Sequence, residues 1–122
     1  MTPALTVRRS ELGGYALVTA AGSIDVHTHP MLAECLEQAI TATGLAVIVD
    51  MTGVVFCDSS GLNTFVRSYQ RADGHGVSMV AAGLQDRVRR VFTITGLDRG
   101  VHVQPDVATA VRWLDSGTRT MT

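Results

Sequence analysis

Residues 45–51, Leu-Ala-Val-Ile-Val-Asp-Met, hold one polar side chain in seven and are rich in β-branched residues. Successive side chains of a strand point to opposite faces, so a strand apolar on both faces must be covered on both. Helices that cover a sheet and join its neighbouring strands make those strands parallel. This stretch therefore predicts the centre of a parallel α/β sheet. The rest of the chain has to supply flanking strands and covering helices.

Upstream, Leu5 and Val7 alternate with Thr6 and Arg8, which predicts a half-exposed edge strand. Gly13-Gly14 is a turn, and residues 15–21 form a second strand. The short spacing and the Gly-Gly pair predict an antiparallel hairpin. Residues 22–29 read as a polar loop, and Pro30 fits the first turn of a helix. Leu32, Cys35, Leu36, Ala39 and Ile40 then share one helical face, and Gly44 ends the helix. After the central strand and a short connection, Leu62, Phe65, Val66 and Tyr69 mark a second helix, stopped by Gly74-His75-Gly76. Residues 77–82 are the next strand, followed by a third helix with Leu84, Val88, Val91 and Phe92 inward and Gly96 as its cap. A short strand at 101–103 precedes a last helix opened by Pro105, with Val107, Ala110, Val111 and Leu114 inward. Trp113 sits at the edge of that core. The fold class is α/β, a single domain with a mixed, mostly parallel sheet, an antiparallel N-terminal edge hairpin and flanking helices. The order is ββαβαβαβα.

One domain over 1–116 with a flexible tail at 117–122 fits the length of 122 residues, which buries a core without disulfide or metal staples. A net charge of -1 gives no long-range attraction to nucleic acid or anionic lipid. No apolar run approaches the length of about 20 residues that spans a bilayer. The N-terminus lacks the charged-then-apolar pattern of a secretory leader. Cys35 and Cys57 fit no zinc or redox spacing and read as reduced, buried thiols of a cytoplasmic protein.

Function concentrates where the central strand is delivered to a helix, at Asp58-Ser59-Ser60-Gly61-Leu62. Ser and Asp before an apolar helix are N-caps first, each contributing about 1 kcal/mol. Capping accounts for one such residue. It does not account for three in a row, nor for Gly61 in the first turn, where Gly costs roughly 1 kcal/mol against Ala. A bare backbone there points to close approach by another group. A plain cap and a functional loop both stay open on these grounds. A phosphate on Ser59 suits the position, because a helix N-terminus favours anions. A hydrolase would use Ser59 or Ser60 with His27 or His29 as base and Asp25 as orienter, but the Gly-x-Ser-x-Gly elbow is absent. Asp25, His27 and His29 offer a metal His-x-His and a carboxylate but no further ligand nearby in sequence. Neither glycine-rich nucleotide motif occurs, and the chain has no Lys. Arg87, Arg89 and Arg90 read as a solvated helix face, with a basic partner patch as the alternative.

These stretches together resemble the STAS domain, specifically bacterial anti-sigma factor antagonists. Residues 54–62, Val-Val-Phe-Cys-Asp-Ser-Ser-Gly-Leu, are similar to that family's phosphorylation-site signature. Gly22, Asp25 and Thr28 resemble its Gly-x-x-Asp-x-x-Thr loop, and residues 88–92 with Thr95-Gly96-Leu97 resemble its third helix and helix ending. The resemblance spans about residues 5–114. It implies a non-enzymatic antagonist that, unphosphorylated, binds an anti-sigma factor serine kinase and frees a sigma factor. The kinase would phosphorylate Ser59 with ATP, and a metal-dependent serine phosphatase would reverse it. Asp25, Thr28, Asp58, Ser60, Gly61 and Leu62 would contact the partner or shape the loop, with no cofactor, metal, nucleic acid or membrane involved. His29 stands where a small residue is usual. The alternatives are a STAS module that binds a ligand or nucleotide, or a stress-signalling scaffold, without a kinase partner.

Overall fold

The computed structural model describes residues 4–42 and 44–117. The hairpin is β1 (Thr6–Leu12) and β2 (Tyr15–Ile24), followed by α1 (His29–Ala42), β3 (Ala46–Cys57), α2 (Ser59–Gly74) and β4 (Ser78–Ala82). Then come α3 (Asp86–Thr95), a 3-10 turn at Leu97–Arg99, β5 (His102–Gln104) and α4 (Val107–Asp115). The order ββαβαβαβα and the mixed sheet are as expected. β1 runs antiparallel to β2, and β2 to β5 are parallel. Gly13 and Gly14, at φ 60° and 89°, form the two-residue turn that faces Leu12 with Tyr15. Such a turn needs positive φ at both positions.

The strands lie in the sheet in chain order, β1-β2-β3-β4-β5. Every crossover therefore steps the same way, and α1, α2 and α3 pack on one face. Val47, Val49 and Met51 of β3 meet Leu32, Leu36 and Ile40 of α1, Phe65 of α2, and Val88 and Phe92 of α3 in one core. Phe65 and Phe92 are edge-to-face at 5.3 Å. The opposite face is covered by α4, where Ala110 and Leu114 pack on Tyr15, Ala46, Ile48, Val80 and Ala82. The two-sided burial of the central run is thus real, with three helices on one side and one on the other.

Several boundaries differ from the sequence reading. β2 continues through Gly22, Ser23 and Ile24, which read as loop, and β3 continues through residues 52–57, which read as a connection. The two strands run on together past Asp50↔Ala82, where β4 stops pairing. Register shifts at Thr19/Ala21 and Gly22/Ser23 break the alternation. The buried residues of outer β3 are Met51, Val54 and Cys57, three apart instead of two. That spacing hides the strand from a period-two search. Gly53 belongs to this irregularity, since a Cβ there would stand 2.8 Å from Ala21 Cβ.

The inward line of α2 is Gly61, Thr64, Phe65, Ser68 and Ala72, while Leu62, Val66 and Tyr69 are half-buried. Small residues on that line let α1 approach, and Arg71 Nε then reaches both carboxylate oxygens of Glu37 on α1 at 2.6 and 2.7 Å. Pro105 precedes the last helix instead of opening it. Asp106 is the cap, its carboxylate accepting from Thr109 N–H at 2.7 Å. Cys57 is buried as expected, but Cys35 is only half-buried. Arg89 pairs with Asp86 of its own helix at 2.8 Å, in keeping with a solvated face. Residues 118–122 of the expected tail lie outside the described residues. Among the described residues, no helix is long and apolar enough to cross a membrane.

Candidate functional site

The outer ends of β2 and β3 carry the site. Asp58 N–H donates to Ile24 O at 3.1 Å, so the start of α2 is tied to the end of β2. Asp58 caps α2 with an extended backbone, and its Oδ1 accepts from Ser60 N–H at 2.9 Å and Gly61 N–H at 3.2 Å. Its carbonyl accepts the first helical bond, from Leu62 N–H at 3.0 Å. One aspartate therefore does the capping. Ser59 follows as the first helical residue and is exposed, while Ser60 and Leu62 are half-buried.

Gly61 is buried, and its lack of a side chain has a cause within the domain. A Cβ there would meet Cys57 Sγ at 2.6 Å and Ile24 Cγ2 at 2.7 Å. The close approach expected from an outside group is made by β2 and β3 themselves. Gly61 shapes the site from beneath and is not a contact surface. The Cys57 thiol under it is pushed up to about 12 by burial and then by the Asp58 charge, so it stays protonated.

The loop after β2 is locked from within. Thr28 Oγ1 donates to Ser23 O at 2.8 Å and accepts from Asp25 N–H at 2.9 Å. Asp25 Oδ1 accepts from His27 N–H at 2.9 Å and Thr28 N–H at 3.1 Å. This explains the Gly-x-x-Asp-x-x-Thr spacing, because Asp and Thr close a turn on each other and Gly22 lets the strand bend into it. Gly22 has φ 113°, and a Cβ there would overlap the carbonyl of Ala4. The His27 N–H is the chief reason that the Asp25 carboxyl lies below its ordinary 3.8.

That shift sets a pH dependence. Asp25 is depressed in the native state, so as pH falls the unfolded chain takes the proton first. Its contribution is full above 3.8 and is lost as pH falls through the native value. Asp25→Asn is expected to flatten the acid limb of stability between about pH 2 and pH 5. Urea titrations of both proteins across that range check this, and parallel curves would count against the loop-locking role.

The other expected groups are placed apart from a catalytic arrangement. His29 Nδ1 lies 3.3 Å from Thr64 Oγ1, and His27 is exposed. Among the described residues no hydrogen bond joins an imidazole to Ser59 or Ser60, and no three His, Cys, Asp or Glu side chains gather as metal ligands. A cleft of about 480 Å³, lined by Arg9, Tyr15, Ala39 and Leu45 among others, lies at the other end of the sheet. Sequence reasoning missed the exposed apolar residues on the elements that carry the site. Val26 and Met31 beside the loop are 60% and 50% exposed, and Val55 and Phe56 at the end of β3 are 39% and 42% exposed. Their signal was present as apolar residues at positions assigned to a loop for Val26 and to a connection for Val55 and Phe56, and off the apolar face of the first helix for Met31.

The STAS domain family profile matches residues 6–110. The chain belongs to the STAS domain family. Curated relatives from Listeria and Staphylococcus carry the name anti-sigma-B factor antagonist. That of Listeria monocytogenes is 34% identical over 87 residues, covering 71% of this chain and 76% of its own. That of Staphylococcus aureus is 33% identical over 86 residues, covering 70% and 80%. In fold, this STAS domain is similar to the crystal structure of an anti-sigma factor antagonist from Mycobacterium paratuberculosis, at TM-score 0.80 and 24% identity over 92% of this chain and 95% of that one.

Proposed function

We propose that this STAS domain is an anti-sigma factor antagonist whose unphosphorylated form binds an anti-sigma factor serine kinase in the cytoplasm and frees a sigma factor. Phosphorylation of Ser59 ends the binding, and a metal-dependent serine phosphatase restores it. The observation that carries this reading is the setting of Ser59. Ser59 is exposed on the first turn of α2, and Val26 in the loop after β2, Met31 at the start of α1, and Val55 and Phe56 at the end of β3 are exposed as well. Exposed apolar side chains near a polar site are surface that a partner covers. The curated relatives' names support the same assignment.

Asp25, Thr28, Asp58, Ser60 and Leu62 complete the contact surface or hold its shape, and Gly61 supports it from below. The domain, over residues 1–116, is a substrate of the kinase and performs no catalysis itself. A phosphate is compatible with this fold because Ser59 occupies the helix end that favours anions. The test is incubation with the cognate anti-sigma kinase and ATP, followed by intact mass. One added phosphate is expected on the native chain and on Ser60→Ala, and none on Ser59→Ala. An unmodified native chain would overturn the proposal and favour a ligand-binding STAS module.

A further inference from the structure

β1 is one edge of the sheet, and its seven residues have no strand beyond them. In an antiparallel pair, residues that bond to the partner strand alternate with residues whose N–H and C=O point away from it. The two-residue turn closes on Leu12 and Tyr15 as a bonded pair, so Thr6, Arg8, Ser10 and Leu12 bond to β2. Val7, Arg9 and Glu11 therefore turn their backbone donors and acceptors to the open edge. The other edge, β5, has three residues and offers far less. Charged side chains on an edge strand often guard it against pairing. Whether they do so here depends on what each charge meets in a second copy of the same strand.

Two copies of β1 related by a two-fold axis run antiparallel. Opposed residues must both point their backbone groups across the seam or both away from it, so the axis passes through a residue. Centring on Arg8, Arg9 or Glu11 sets like charges face to face at the axis, which is unfavourable. Centring on Val7 pairs residues 6–8 alone. Centring on Ser10 pairs residues 8–12, with Arg9 opposite Glu11 of the second copy on both sides of the axis and Arg8 opposite its Leu12. Arg9 and Glu11 are exposed and line the cleft beside Ala39 and Ala42 of α1, so these pairs form on the α1 face. Among the described residues neither takes part in an ion pair within the domain. On the other face Leu12, 39% exposed, is covered by the aliphatic stem of Arg8. The α1 helices, which pack mainly over β2, stand three strand spacings apart across the seam. That is about 14 Å, against 8–10 Å for packed helices, so they do not collide.

We propose that a second copy of this chain adds edge to edge along β1, in the register centred on Ser10, so that the two sheets become one. The axis reverses strand direction, so the two Ser59 surfaces lie at opposite ends of the joined sheet and both stay open. The pairing is independent of what modifies Ser59. Sedimentation velocity on the full chain from about 10 µM to about 1 mM, the range of a small interface, is expected to show a monomer–dimer equilibrium. Glu11→Arg is expected to weaken it by about tenfold, because two attractive pairs become repulsive. Arg9→Glu together with Glu11→Arg exchanges the pair and is expected to restore it. Ser10→Cys is expected to give a disulfide-linked dimer under mild oxidation, since opposed residues that point their backbone groups away from the seam have Cα atoms about 4.5 Å apart. Arg8→Cys, about 13 Å from its own copy in this register, is expected to stay unlinked. All four positions are exposed, and matching amide spectra establish that the variants keep the fold. A native chain that is monomeric throughout that range overturns the proposal. So does a dimer that withstands Glu11→Arg, that the double exchange fails to restore, or that links through Arg8→Cys in place of Ser10→Cys.

Discussion

Gly61→Ala is expected to destabilise the domain by about 1–2 kcal/mol, although alanine is the better helix former. Helix propensity alone favours the substitution by up to about 1 kcal/mol. Against it stands overpacking, which costs roughly 1–3 kcal/mol in a filled interior. The added methyl would stand 2.6 Å from Cys57 Sγ, 2.7 Å from Ile24 Cγ2 and 3.2 Å from Ile24 Cβ. Cys57 and Ile24 are both buried, and moving the Cβ of Ile24 means moving the backbone of β2. The overpacking term therefore wins. Gly61→Val is expected to lose more, since its branch adds volume in the same place. Removing one of the two obstructions should restore part of the loss, so Cys57→Ala in the Gly61→Ala background is expected to be more stable than additivity allows. Urea denaturation of the four chains measures the cycle. If Gly61→Ala is as stable as the native chain, the internal packing account of this glycine is wrong.

The second large effect is functional. Ser59→Glu is expected to weaken binding of the anti-sigma kinase by tenfold or more, each tenfold being about 1.4 kcal/mol. The mechanism is burial of a charge under the partner, beside Asp25 and Asp58, where the partner supplied no compensating group for the unmodified serine. Ser59→Ala removes a hydroxyl that needs no protein partner and is expected to bind as the native chain does. The carboxylate stays within the field of the helix end, so amide shifts should be confined to residues near 25–29 and 58–64. Calorimetry with the kinase and an amide spectrum of each variant separate the two halves of the prediction. Equal affinity for Ser59→Glu and Ser59→Ala would sink the electrostatic account. Shifts spread through α3 and α4 would mean that the switch acts by changing the fold.

Most of the architecture was legible because strong rules govern it. The central apolar run predicted two-sided burial, and Val47 with Ile48 do face opposite cores. The Gly-Gly turn gave the hairpin, and Gly96 ends α3 at φ 78° in the left-handed region. What stayed hidden was the outer half of β2 and β3. Bulges change the spacing of buried residues there from two to three, and no single-strand pattern carries that information. The site was legible in its residues and less so in their reasons. Asp58 as cap and Asp25 with Thr28 as a closed turn follow from local chemistry. The burial of Gly61 depends on Ile24, a residue far off in sequence. Thr64 and His29 come together through the packing of α1 on α2, which periodicity alone does not align. Leu62, Phe65, Val66 and Tyr69 share the apolar helical spacing, yet of these only Phe65 is buried, on a line with the small Gly61, Thr64, Ser68 and Ala72.

The sequential strand order has a consequence for how the chain is made. Each parallel strand pairs with the strand synthesised just before it, so no strand must wait for a distant partner to leave the ribosome. Such nearest-neighbour growth keeps the loops to be closed short and limits the time that open edges are exposed. The exception is the face formed by Tyr15, Ala46, Ile48, Val80 and Ala82, which stays open to water until α4, the last of the described elements, arrives. A nascent chain halted before Val107 would carry a finished Ser59 surface on one side and an unfinished, adhesive sheet on the other.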